Sequence, residues 1–256
     1  MTVKEPQTID EVIAALEAII QDCQERNDPL GYFAALYHRV TVKVKEGIAE
    51  GFFDDGERME QLDVVFAKRY LEAYHAFRRQ APTTLAWDKA FQLAPEYWPI
   101  VLQHLLMGIN AHINLDLGIA AAEVSKGKDI RVLQADFNRI NEVLSGLVHE
   151  VQHNLSVIWF PLRKILQWAR DTDDLVVDFS MKIARDGAWR FALALAALPE
   201  ERWPAVTEAR DRKVADKTRL VTSPGRVIQF GLRLVRLGER GTVGEKIEVL
   251  CRLPKA

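Results

Sequence analysis

The sequence predicts an all-α fold, a single multi-helix globular domain of about eight to ten helices around a long buried central helix. Three observations predict it. Apolar residues recur at helical spacing along nearly all of the 256 residues, 48% of which are hydrophobic. Strand-like alternation is confined to Val40, Val42 and Val44 against Thr41, Lys43 and Lys45. The stretch from Val101 to Ala122, VLQHLLMGINAHINLDLGIAAA, is apolar on every side and reads as a helix enclosed by others.

Taken in order, Thr8 and Glu11 form a capping box that opens a first helix running to about Glu25. Asn27-Asp28-Pro29 breaks the chain before a second helix to about Gly51. Asp54 or Asp55 caps a third, to about Arg79. Beyond Pro82 come a short helix near Thr84–Leu93 and the long central one, about Tyr97–Ser125. After Gly127 a further helix covers about Ile130–Trp159, and others cover Leu162–Arg170, Asp174–Ala197 and Trp203–Leu220. Ser223-Pro224-Gly225 is the best internal boundary. It divides an all-helical core, 1–222, from a C-terminal extension, 223–256, packed on that core. The extension holds an apolar helix, Val227–Leu237, whose expected place is in the interior, with a membrane interface as the alternative.

Residues Met1–Asp10 lack the apolar core of a signal peptide, and no run approaches the roughly 18 uncharged apolar residues of a membrane span. A cytoplasmic protein with no transmembrane segment is the expectation. Cys23 and Cys251, the only cysteines, suit neither a disulfide framework nor a cysteine-rich metal site. The net charge of −2 argues against a surface made for nucleic acid. Between Arg210 and Arg240, however, nine Lys/Arg stand against three acidic residues. That region is a solvated basic face or a contact with an anionic partner or membrane surface.

The candidate site lies in the central helix. His104, Asn110, His112, Asn114 and Asp116 interrupt its apolar sequence, and buried polar groups persist only where they satisfy one another or something bound. Asp116 falls within the stripe of Leu102, Ile109, Ile113 and Ala120, and His112 precedes it by one turn, so the imidazole can bond the carboxylate. A carboxylate-oriented imidazole suits a general base, a proton shuttle or a metal ligand. Asn110 and Asn114 form a second i, i+4 pair on another side. On the third helix the core stripe is Met59, Leu62, Phe66, Tyr70, Ala73 and Phe77, with Asp63 and Arg69 at its edges.

From these residues the leading expectation is an acid/base enzyme of the lyase, isomerase or cyclase kind, working without a cofactor on a small, largely apolar molecule. His112 transfers the proton and Asp116 orients it. Asn110 and Asn114 hold polar substrate atoms, and Asp63 and Arg69 face them. The alternative is a divalent-metal hydrolase, holding zinc with His104, His112 and Asp116 or with His149, Glu150 and His153 of HEVQH. Against HEVQH, the apolar stripe from Leu133 to Leu155 turns both of its histidines roughly 140° to 180° away. A third reading is a non-catalytic ligand-binding or interaction protein. Trp189, Arg190, Lys182, Arg185 and Asp186 read as the outer face of an amphipathic helix.

Two segments, FFDDGERMEQLDVVFAKRYLEAYHAF and PIVLQHLLMGINAHINLDLGIAAA, resemble a bacterial and fungal family catalogued as a domain of unknown function, DUF5995. The likeness spans roughly residues 10 to 200. It implies an all-helical protein associated with small-molecule metabolism and brings no assigned activity. The resemblance does not rest on HEVQH.

Overall fold

The computed structural model describes residues 5–140, 143, 155, 157, 158 and 181–252. The described residues are helical and include no strand, as the apolar spacing predicts. The first helix, α1 (Ile9–Arg26), is capped by the Thr8 side chain, which accepts from the Glu11 N–H. Glu11 itself reaches back one residue further than a capping box requires, to the Gln7 N–H. Asn27 ends α1 in the left-handed region, φ 53°, closing the last turn onto the Cys23 and Gln24 carbonyls. Next come α2 (Gly31–Ala49) and α3 (Gly56–Arg78). Asp55 caps α3 by accepting from the Arg58 N–H.

That cap is half of the arrangement at the head of α3. Asp136, fully buried on the helical stretch 134–140, accepts from the Asp54 and Asp55 N–H groups and from the Arg58 and Arg139 guanidinium groups. Burial alone would raise its carboxyl. The Asp54 N–H, Arg58, Arg139 and the Asp55 N–H overcome that and hold it below its usual range.

The short α4 (Leu85–Phe91) leads to the central helix, which consists of α5 (Val101–Ala111), a π-helical turn over His112–Asp116, and α6 (Leu117–Val124). In the π-turn the Leu117 N–H bonds to the His112 carbonyl, five residues back. Later elements are α7 (Met181–Ala196), α8 (Trp203–Lys217), α9 (Arg219–Thr222), α10 (Arg226–Gly238) and α11 (Val243–Cys251). The central helix runs through the middle, with α2 and α4 against α5, α3 and α7 against α6, and α8 along the π-turn. On the far side of α2 lie α1 and α11.

Contrary to the sequence expectation, Val101–Val124 is long and apolar enough to cross a membrane. Of its most apolar window 89% is buried inside the fold, so here it is the core helix. Two glycines let neighbours approach it. A Cβ on Gly108 would meet the Phe33 ring at 2.3 Å, and one on Gly118 would meet the Ala188 carbonyl oxygen at 2.9 Å.

Other expectations need correction. The helix placed at Ile130–Trp159 opens as a 3-10 turn, Ile130–Leu133, before becoming α-helical over 134–140. The segment Leu162–Arg170 lies outside the described residues. Trp189 and Arg185 are buried rather than outward: the Arg185 guanidinium donates to the Phe137 carbonyl and lies over the Phe137 ring, which Trp189 also packs against. Burial lowers the Arg185 pKa to about 9. The apolar helix Val227–Leu237, expected in the interior, keeps most of its apolar side chains exposed as α10.

Candidate active site

The carboxylate of Asp116 collects side chains from three elements. Its Oδ1 accepts from Arg69 Nε of α3 at 2.9 Å. Its Oδ2 accepts from Trp87 Nε1 of α4 at 2.7 Å and faces His112 Nδ1, one turn back, at 3.2 Å. All three contacts are buried or nearly so, and the Arg69 guanidinium offsets the charge of a carboxylate in the interior.

The carboxylate at Nδ1 selects the tautomer that carries its proton there, which leaves a lone pair on Nε2. Nε2 is buried and has no hydrogen-bond partner among the described residues. Aromatic rings surround the imidazole. Phe66 stacks on it at 3.5 Å and Tyr37 stands edge-on at 4.4 Å. Phe33, Trp87 and Tyr70 complete the cage at 5.7, 5.9 and 6.2 Å. Burial lowers the His112 pKa, and Arg69 adds to this against the opposing pull of Asp116, so the ring is neutral at ordinary pH.

Two further buried polar atoms share this neighbourhood without a hydrogen bond, Tyr70 Oη and Asp63 Oδ2. Burial raises the Tyr37 phenol well above its ordinary value, and the carboxylates of Asp63 and Asp116 raise it further. Asp63 is raised to about 8 by burial, with Glu60 contributing. It therefore carries its proton at neutral pH. A carboxylic acid and a neutral imidazole thus both lie near Tyr37, an acid and a base whose protonation is set by their surroundings.

Not every predicted residue belongs here. Asn110 donates to the Val214 carbonyl of α8, Asn114 donates to Asn110, and Arg210 of α8 donates to the Asn114 carbonyl. The two asparagines tie the central helix to α8 and do not meet His112. His104 packs on Tyr32, and its pKa falls to about 3 through burial and the nearby cations Arg236 and Lys246. It does not join His112 and Asp116. Among the described residues no three His, Cys, Asp or Glu side chains are grouped to hold a metal ion. His149, Glu150 and His153 lie outside the described residues.

Arg69 also reaches the surface. It lines a cleft of about 460 Å³ with Thr84, Ile119, Lys126, Trp203 and Asp211. Asp211 holds the head of α4 by accepting from the Leu85 and Ala86 N–H groups. Trp87 and the ring cage carried no signal in the sequence beyond apolar periodicity, because their role arises from which helices meet.

The model of a family of unknown function, DUF5995, matches residues 9–224. The chain belongs to DUF5995. The match takes in every residue of the Asp116 site and ends at Pro224, so α10 and α11 lie past it. No curated protein and no solved structure matches this DUF5995 chain.

Proposed function

We propose that this protein is an acid/base enzyme of the lyase, isomerase or cyclase kind, acting on a small, largely apolar molecule between the helices. One observation carries the reading. His112 has Nδ1 fixed by a buried carboxylate and Nε2 buried without a partner, in a ring-lined setting that keeps the imidazole neutral. An unpaired buried acceptor costs about 1 to 3 kcal/mol, a cost that is offset when a substrate proton occupies it. His112 is then the base, Asp116 its orienter, Arg69 the counter-charge, and Asp63 with Tyr37 the source of a proton. The π-turn that carries His112 and Asp116 is itself a local disruption of the kind often found at functional sites.

The test is turnover of a small-molecule extract followed by mass spectrometry, comparing the parent protein with His112→Gln. Isomerase or cyclase action conserves substrate mass, and lyase action splits it. The variant should lose roughly 100-fold or more in rate while keeping its helical spectrum. A folded variant as active as the parent, or a parent that converts nothing, sinks the proposal. The non-catalytic reading has one observation in its favour: Asp116 accepts from three elements, as a structural tie would. Under that reading His112→Gln changes stability and no chemistry.

A further inference from the structure

We propose that the outer face of α10 docks on an anionic lipid surface. The helix is anchored on its inner side. Val235 is buried, Arg236 Nε donates to the Tyr97 carbonyl, and Glu239, just past the helix, accepts from the Val101 N–H and pairs with Lys246 and Arg236. α10 is therefore docked on the start of the central helix.

Its other side is apolar and, among the described residues, uncovered. Val227, Phe230, Leu234 and Leu237 are 78%, 65%, 53% and 65% exposed. At ~100° per residue these four fall in one sector roughly 80° wide. Single exposed apolar residues are ordinary, whereas a contiguous set marks a contact surface. Tyr97 and Trp98, both exposed, extend the patch, each lying under an α10 arginine: Arg236 over Tyr97 and Arg233 over Trp98.

Charge decides the occupant. α10 carries Arg226, Arg233 and Arg236 and no acidic residue, and it belongs to the basic stretch from Arg210 to Arg240. On the helix these arginines follow the apolar sector along one edge, within roughly 100° of its border. A second copy joined antiparallel through the same face by a two-fold axis would set this arginine edge against itself, and a parallel one would set it against Gly231 and Gly238, which offer it no anion. A lipid leaflet with acidic headgroups offers acyl chains to Phe230 and Leu234 and negative charge to the exposed Arg226 and Arg233, while exposed tyrosine and tryptophan sit at headgroup depth.

The experiment is flotation of the full chain with phosphatidylcholine vesicles, with and without one third phosphatidylserine, alongside the double variant Phe230→Ser, Leu234→Ser. Both changes are at exposed positions, and circular dichroism with light scattering reports fold and size. The parent should bind the anionic vesicles on the order of a hundredfold more tightly than the neutral ones. The double variant should lose about tenfold or more of that binding. Failure to float, or equal binding by a folded double variant, overturns the proposal. So does a dimer in free solution that the double variant dissociates, which assigns the face to a second copy.

Discussion

Replacing Asp63 with asparagine should relieve the fold of a pH-dependent cost. Asp63 is buried on α3 with Oδ2 unpartnered, and burial, with Glu60, raises its pKa from 3.8 to about 8. In the unfolded chain the group ionises near pH 4. Between that value and about 8 the folded protein therefore holds a proton that the unfolded chain has released, and stability falls as pH rises. The slope is ~1.4 kcal/mol per pH unit, and the loss levels off once the folded group also ionises. By neutral pH the accumulated cost is on the order of 4 kcal/mol. An amide does not ionise, so Asp63→Asn should match the parent to within ~1 kcal/mol near pH 4.5 and exceed it by several kcal/mol near pH 8. The histidines titrate in both proteins and cancel in the difference. Urea melts followed by far-UV circular dichroism across this range give the comparison. A stability difference that does not change with pH would refute the assignment of Asp63 as a protonated acid.

Asp136→Asn should destabilise the protein by roughly 3 kcal/mol through the loss of a buried charge that meets two arginines and two N–H groups. The contribution of this depressed carboxylate is present above its unfolded pKa and fades as pH falls through the folded value, so acid melts of parent and variant should converge. Gly118→Ala drives a Cβ to 2.9 Å from the Ala188 carbonyl oxygen and 2.7 Å from the Phe191 ring, and should cost roughly 1 to 3 kcal/mol in a urea melt. Trp87→Phe keeps the ring and removes the donor to Asp116 Oδ2; a loss of roughly 1 to 3 kcal/mol is expected, and a neutral result would mean the bond contributes nothing net.

The parts of this fold legible in the sequence are those written locally. Helical spacing located the central helix and the Asp63–Arg69 edges, and the i, i+4 rule paired His112 with Asp116. Capping chemistry identified Thr8 and narrowed the α3 cap to Asp54 or Asp55, of which the structure uses Asp55. What escaped depends on partners far along the chain. Asp136 meets the head of α3 across more than 80 residues of sequence, and Trp87 meets Asp116 across 29. Neither carries a periodic signal. Asn110 and Asn114 were correctly placed on a second side, but the sequence could not reveal that α8 would satisfy them. Arg185 and α10 failed in opposite directions for one reason: residue polarity predicts preference for water, whereas burial is set by which surfaces find a neighbour.

A helix that widens for one turn holds one residue more than its length requires. From Leu117 onward, side chains are thus rotated by roughly 100° from where an unbroken helix would put them. This phase shift lets one continuous rod address α2 and α4 with its first half and α3 and α7 with its second. Closing the widened turn to an ordinary one with all five residues retained would swing Gly118 away from the Ala188 carbonyl it was placed to clear, whereas removing Ile113 at the same time would restore its phase. The rod's phase therefore resides in that one turn: the two packing surfaces are met at once only while the extra residue between Ala111 and Leu117 stays absorbed in it.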